Sequence, residues 1–168
     1  MSDQMSMGEE LLERYDVSLL EQRFLDLGIT LTKEQKIQFL QYYEYLVEKN
    51  QVMNLTAITE YEAVVEKHFA DSLAAAAVYD IGKAKSVIDV GTGAGFPGIP
   101  LKIVYPHLKI VLLDSLNKRV QFLNEVISLL HLKDAQAVHG RAEGEHYRLH
   151  PKWTGESSSA LCVIAGSI

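Results

Sequence analysis

The stretch Asp89-Val90-Gly91-Thr92-Gly93-Ala94-Gly95 sets three glycines at alternate positions, the first of them two residues after a carboxylate. Glycines in that pattern let a backbone turn sharply at the end of a strand and come close to a ligand. Two ligand classes use such a loop. Gly93-Ala94-Gly95-Phe96-Pro97-Gly98 satisfies the dinucleotide fingerprint, and Asp114 stands about 20 residues on, where a carboxylate can hold ribose hydroxyls. Asp89 discriminates between them. A carboxylate there would repel a pyrophosphate, whereas S-adenosyl-L-methionine has no phosphate and carries two positive groups, a sulfonium and an amine. The turn is therefore expected to hold the methyl donor rather than a nicotinamide dinucleotide. The other reading of Asp89 is a cap on the turn that follows it.

Further residues could act at the same edge. Asp114 closes an apolar segment and suits two vicinal hydroxyls, or else it starts the helix ahead of Asn117. Ala142 and Glu143 follow the next apolar segment and could line the adenine side of a pocket, or lie on an exposed loop. Lys118, Arg119 and Arg141 are candidate phosphate contacts, with a solvated face as the alternative for the first two. His68 and His139 each lack a partner at metal spacing and read as hydrogen-bonded structural histidines, so no metal is expected. Cys162 sits in an apolar run and makes a poor nucleophile.

The elements that must position these groups fall into two kinds. The first 80 residues read as helical: Ser18 with Glu21, Thr32 with Gln35, and Thr59 with Glu62 each fit a capping pair. Apolar residues recur at helical spacing at Ile37, Leu40, Tyr43 and Val47, and again at Val65, Phe69, Leu73 and Ala76. Gly28 and Asn50 read as stops. From residue 86 the pattern alternates between strand and helix. Strands are expected at 86–90, 109–114 and 135–139, with helices at 99–105 and 117–130 between them. That order gives a parallel α/β sheet. Residues 151–159 read as a loop, and Leu161 to Ala165 could form a fourth strand.

Composition narrows the function classes. The chain has 168 residues, 48% of them apolar and 23% charged, with a net charge of −6. A protein that coats nucleic acid through bulk electrostatics is disfavoured, while a local basic patch is still allowed. The polar, acidic start from Met1 to Glu10 and the lack of a long apolar run read as cytoplasmic. One cysteine excludes an internal disulfide and a cysteine-cluster zinc site.

With these residues assembled, the chain resembles the bacterial 16S ribosomal RNA guanine-N7 methyltransferases, also called glucose-inhibited division protein B. The matching stretches are 54–58 (NLTAI), 67–73 (KHFADSL), 89–101 (DVGTGAGFPGIPL), 112–119 (LLDSLNKR) and 139–143 (HGRAE), within about residues 18 to 147. The resemblance implies a Rossmann-like, S-adenosyl-L-methionine-dependent methyltransferase sheet, with residues 1–80 as an N-terminal helical cap and 81–168 as the core. It implies that Gly91 and Phe96 touch the cofactor in the turn, and that Ala142 and Glu143 touch it after the third strand. The partner implied is 16S ribosomal RNA in the small ribosomal subunit, for which Lys118, Arg119 and Arg141 are the candidate contacts by their charge. Family members continue into a strand ending Arg-Ala-Val/Phe-Ala, which residues 148 to 168 do not follow. The sheet is accordingly expected to be incomplete, and methyl transfer by this chain poor.

Guanine N7 bears a lone pair and no proton, so the implied reaction needs alignment and exclusion of water rather than a general base. No catalytic residue is named on that account. Two rivals stand beside it. One is a non-catalytic Rossmann-like module that binds nucleoside or RNA; the other is a nicotinamide oxidoreductase, which Asp89 disfavours.

Overall fold

Side-chain caps open three of the four N-terminal helices. In the computed structural model, which describes residues 6–78 and 80–141 and the backbone of Leu161–Ala165, helix α1 (Met7–Arg14) starts with a capping box between Ser6 and Glu9. Helix α2 (Val17–Leu25) starts at Asp16, whose carboxylate accepts from the Ser18 and Leu19 amides; Ser18 itself lies inside the first turn rather than at the cap expected for it. Helix α3 (Lys33–Met53) opens with the expected Thr32–Gln35 box. Helix α4 (Tyr61–Val64) follows Glu60 with no side-chain cap, so Thr59 does not cap it; the Thr59 carbonyl instead accepts the Tyr43 hydroxyl. The stop of α3 is also displaced. Asn54 ends it in the left-handed region at φ 52°, while Asn50, still helical, turns its side chain to the Thr56 amide.

Helix α4 runs on through a π-helical turn (Val65–Ala70) into α5 (Asp71–Val78). Val65, Phe69, Leu73 and Ala76 are buried along it, the face that their spacing predicts. Helix α3 buries more than one stripe, because it packs on α1 and α2 as well as on later helices. Phe39, Leu40, Tyr42, Tyr43 and Leu46 are buried, whereas Ile37 and Val47 lie at the margin.

The second half is the expected α/β alternation. Strand β1 (Ser86–Val90) is followed by α6 (Gly98–Val104), β2 (Lys109–Asp114), α7 (Asn117–Leu129) and β3 (Ala135–His139). Strand β4 (Leu161–Ala165) pairs parallel with β1 on the side away from β2, with Val87 opposite Cys162 and Asp89 opposite Ile164. The order β3-β2-β1-β4 is parallel throughout. It reverses direction at β1, and ligands of open α/β sheets bind in the crevice at the carboxyl end of such a switch strand. The loop expected at 151–159 lies outside the described residues.

Helix α3 ties the helical region to the sheet layer. The Gln35 amide donates to the Ile103 and Val104 carbonyls at the end of α6, and Gln38, one turn on, donates to the Leu130 carbonyl after α7. Both fill acceptors that a helix C-terminus leaves open. A ladder of rings runs beside them: Phe24 to Phe39 at 4.9 Å, Phe39 to Phe69 at 4.9 Å, Phe69 to Tyr42 at 5.6 Å and Tyr42 to Phe96 at 5.5 Å. Among the described residues no helix is long and apolar enough to cross a membrane.

Candidate functional site

The glycine turn occupies the switch point at the end of β1. Gly91 and Thr92 both donate to the Leu113 carbonyl, at 2.8 and 3.1 Å, so the turn stays attached to β2 as it leaves the sheet. Gly91 and Gly93 have φ of 69° and 60°, and a Cβ built on either meets no atom within 4 Å. Their faces therefore border open space where a side chain would intrude. Gly98 serves a different need: a Cβ there would stand 2.3 Å from Leu112 and 2.7 Å from Asp89, so only glycine lets α6 start this close to the sheet.

Asp89 is fully buried in β1. One carboxylate oxygen, Oδ2, accepts from the Thr92 hydroxyl at 2.7 Å and from the Gly98 amide at 2.9 Å, spanning the whole turn. The other, Oδ1, is buried with no hydrogen-bond partner. Burial pushes the carboxyl up to about 7, against the two hydrogen bonds that pull it down, and the nearby Asp114 pushes it further the same way. Asp89 thus does cap the turn. It also leaves an unspent acceptor and a tunable negative charge directly behind the glycines. Being buried, it reaches a ligand electrostatically, through surroundings of low dielectric.

Asp114 takes the structural role that was its alternative, ahead of α7, and ties the glycine turn as well. At the end of β2 its Oδ2 accepts from the Gly93 amide at 2.9 Å, and its Oδ1 accepts from the Leu116 amide at 2.9 Å, ahead of α7. Arg119 approaches Oδ2 at 3.7 Å from the first turn of α7. Lys118 and Arg141 are exposed, so the three candidate cations divide: Arg119 turns toward the carboxylate and the other two face solvent. Ala142 and Glu143 lie outside the described residues. His139 is exposed and contacts the Ser115 carbonyl at 3.0 Å through Nε2.

Several residues at the site carry no motif signal. Tyr42 on α3 donates its hydroxyl to the Ala94 carbonyl, holding the middle of the glycine turn from the helical side. Its ring stacks at 5.6 Å on Phe69 and lies 5.5 Å from Phe96. His68, in the π-helical turn, lies flat against Phe96, with centroids 4.4 Å apart and planes 8° apart. Its Nε2 contacts the Thr56 hydroxyl at 2.8 Å, and that hydroxyl oxygen accepts the Ile58 amide. The structural reading of His68 therefore holds as far as its hydrogen bond goes, but its ring also reaches the glycine turn. A tyrosine or histidine on a helix shows no such reach in sequence, because the contact depends on how α3 and the π-helical turn dock.

The site accordingly offers an open backbone cradle at the end of β1, two buried carboxylates behind it and an aromatic wall from the helical region. Of the three candidate cations, Arg119 is held against Asp114, and Lys118 and Arg141 are exposed. The arrangement suits a positively charged, phosphate-free ligand bearing hydroxyls.

Comparison with known proteins agrees with the motif reading. The family model described as rRNA small subunit methyltransferase G matches residues 35–154. The chain is 55% identical over 134 residues to the ribosomal RNA small subunit methyltransferase G of Lachnoclostridium phytofermentans, covering 80% of this chain and 55% of that protein. It is 48% identical over 148 residues to the protein of the same name from Macrococcus caseolyticus, covering 86% and 62%. With the Bacillus cereus protein of that name the figures are 55% over 126 residues, 75% and 51%. The chain thus spans about half the length of the curated relatives it matches. A solved structure of MtNAS in complex with MTA and tNA is similar at a TM-score of 0.42 and 15% identity, over 83% of this chain and 59% of that one, too slight a likeness to build on. A parallel α/β sheet with its glycine turn at the switch strand, a family model covering most of the sequence and relatives at about half identity lead to one conclusion: the chain belongs to the rRNA small subunit methyltransferase G family.

Proposed function

We propose that this chain binds S-adenosyl-L-methionine at the glycine turn and serves transfer of its methyl group to N7 of a guanine in 16S ribosomal RNA, with residues 1–80 capping the core at 81–168. The observation that carries this reading is the open cradle of Gly91 and Gly93 backed by Asp89, whose Oδ1 is buried without a partner. When bound, the cofactor supplies a methyl on a sulfonium, which leaves as the sulfur takes back the bond pair and a nucleophile donates its own.

The chain's residues bind and orient. Gly91 and Gly93 let the backbone lie against the ligand, and the Asp89 charge favours a cation over an anion there. Asp114 has lone pairs left beyond its two amide bonds and stands at the end of β2 for ribose hydroxyls. Phe96 offers an apolar wall, and Ala142 and Glu143 complete the cofactor side by family resemblance. Because N7 carries no proton, no side chain has to move one, and the work is placement in a water-poor crevice. Lys118 and Arg141, both exposed, meet RNA phosphates, with Arg119 bridging from them to Asp114. N7 lies on the major-groove edge, which A-form RNA hides, so the acceptor is an unpaired guanine.

The test is to incubate the chain with methyl-labelled donor and small ribosomal subunits that lack the modification, then to map the label by strand cleavage specific for N7-methylguanine. Label at one such guanine supports the reading. Label at another base atom contradicts it, and cofactor binding without any transfer would favour the binding-module rival.

A further inference from the structure

We propose that the outer face of the His68 imidazole, backed by Phe96, is the platform on which the acceptor guanine stacks. This rests on the methyltransferase reading above and names the residue that receives the base. The site has two ends. The cradle of Gly91 and Gly93, with Asp114 bonded to Gly93, is the end toward β2. Phe96, three residues beyond, is the end toward the helical region, where His68 covers one face of its ring at 4.4 Å. A donor lodged in the cradle and reaching Phe96 leaves the far face of His68 for the acceptor, and the two must lie side by side for a methyl group to cross.

Three features fit His68 to that place. Its ring is fixed, by Thr56 at Nε2 and by a near-parallel stack on Phe96, so a base meets a preset plane rather than a mobile side chain. It is only half-buried, although one face lies on Phe96 and one nitrogen is engaged. What those two contacts leave of the ring is its other face and edge. It also sits in a π-helical turn, a form that is rare and frequent at functional sites. Unpaired RNA bases are commonly stacked on aromatic side chains, histidine among them.

The charge of the reaction explains why a neutral ring belongs here. Alkylation of N7 turns a neutral guanine into a cation, so an aromatic face becomes more attractive to the purine as it is methylated. A protonated imidazole would oppose that change. Burial pushes His68 down toward the neutral form, against a smaller upward pull from Asp71.

The test uses the chain saturated with S-adenosylhomocysteine, titrated with guanosine 5′-monophosphate and with its N7-methyl derivative. The readout is the imidazole C–H resonances of His68, identified by their loss in His68→Phe. Purine stacking shifts them upfield by its ring current, and the N7-methyl nucleotide binds about tenfold tighter than the unmethylated one. His68→Ala removes that preference, and His68→Phe restores most of it, because a phenyl ring keeps the platform. Resonances unmoved at saturating nucleotide, or an undiminished preference in His68→Ala, would overturn the proposal while leaving the methyltransferase reading intact. Failure of S-adenosylhomocysteine to bind would instead overturn that reading, and this proposal with it.

Discussion

At the scale of single residues, Asp89 carries most of the chemistry, and its sign can be followed through pH. In the unfolded chain its carboxyl titrates near the ordinary aspartate value of 3.8, while in the fold it is held at about 7. Between those values the unfolded state has lost the proton and the native state keeps it, so the native state loses stability as pH rises through this window. Asp89→Asn keeps an acceptor for Thr92 and Gly98 but cannot ionise. Its stability relative to the parent should therefore grow by about 3 kcal/mol between about pH 5 and pH 8, as read by denaturant melts. An unchanged difference would mean the carboxyl is not raised. Ligand binding runs the other way. A cation favours the ionised form, so affinity for S-adenosylmethionine should fall as pH drops below about 7, and Asp89→Asn should bind weakly at every pH.

Gly91 is the second residue on which the reading depends. A valine there meets a left-handed φ of 69° and fills the open side of the turn. Gly91→Val should abolish cofactor binding with helical content nearly unchanged by circular dichroism; binding that survived would mean the cradle is structural. These roles were legible in part. The charge beside the turn and the need for glycine follow from residue type and spacing. That Asp89 also bonds Thr92 and Gly98 does not, because the Gly98 contact depends on α6 folding back over β1.

Among the elements, α3 is the spine. Its middle carries Tyr42 to the glycine turn, and its first turns carry Gln35 and Gln38 to the ends of α6 and α7. Tyr42→Phe keeps the ring in the aromatic ladder and deprives the buried Ala94 carbonyl of its donor, at a cost of about 1–3 kcal/mol. It should also weaken S-adenosylhomocysteine binding, because the middle of the turn loses its tether. Gln38→Leu should cost about 1 kcal/mol yet leave that binding unchanged, since it touches only the end of α7. Equal losses of binding in the two variants would show that Tyr42 acts through general stability alone.

Helix positions were well marked by apolar spacing, and helix ends less so. Thr32 with Gln35 forms its box, but Ser18 and Thr59 do not cap, because Asp16 supplies a stronger acceptor for α2 and α4 starts later without any side-chain cap. The π-helical turn left no mark in sequence: Val65, Phe69 and Leu73 are spaced as an ordinary helix would have them. The contact of Tyr42 and His68 with the turn likewise comes from docking, which periodicity does not encode.

For the molecule as a whole, the strand order makes the site. Successive βα units place β2 and then β3 to one side of β1, and β4 takes the other. The alternation of apolar runs announces the first three strands, and the run at Leu161–Ala165 supplies the fourth. What remained open in sequence was the side on which that strand pairs, which fixes β1 as the switch strand and its glycine turn as the mouth of the crevice.

The central claim is that this mouth holds the methyl donor, and calorimetric titration of the chain with S-adenosylmethionine, S-adenosylhomocysteine and NAD tests it most directly. The methionine-derived ligands should bind with a heat that vanishes in Gly91→Val, and NAD should bind far more weakly, since Asp89 opposes its pyrophosphate. Tighter binding of NAD than of either methionine-derived ligand would contradict the account.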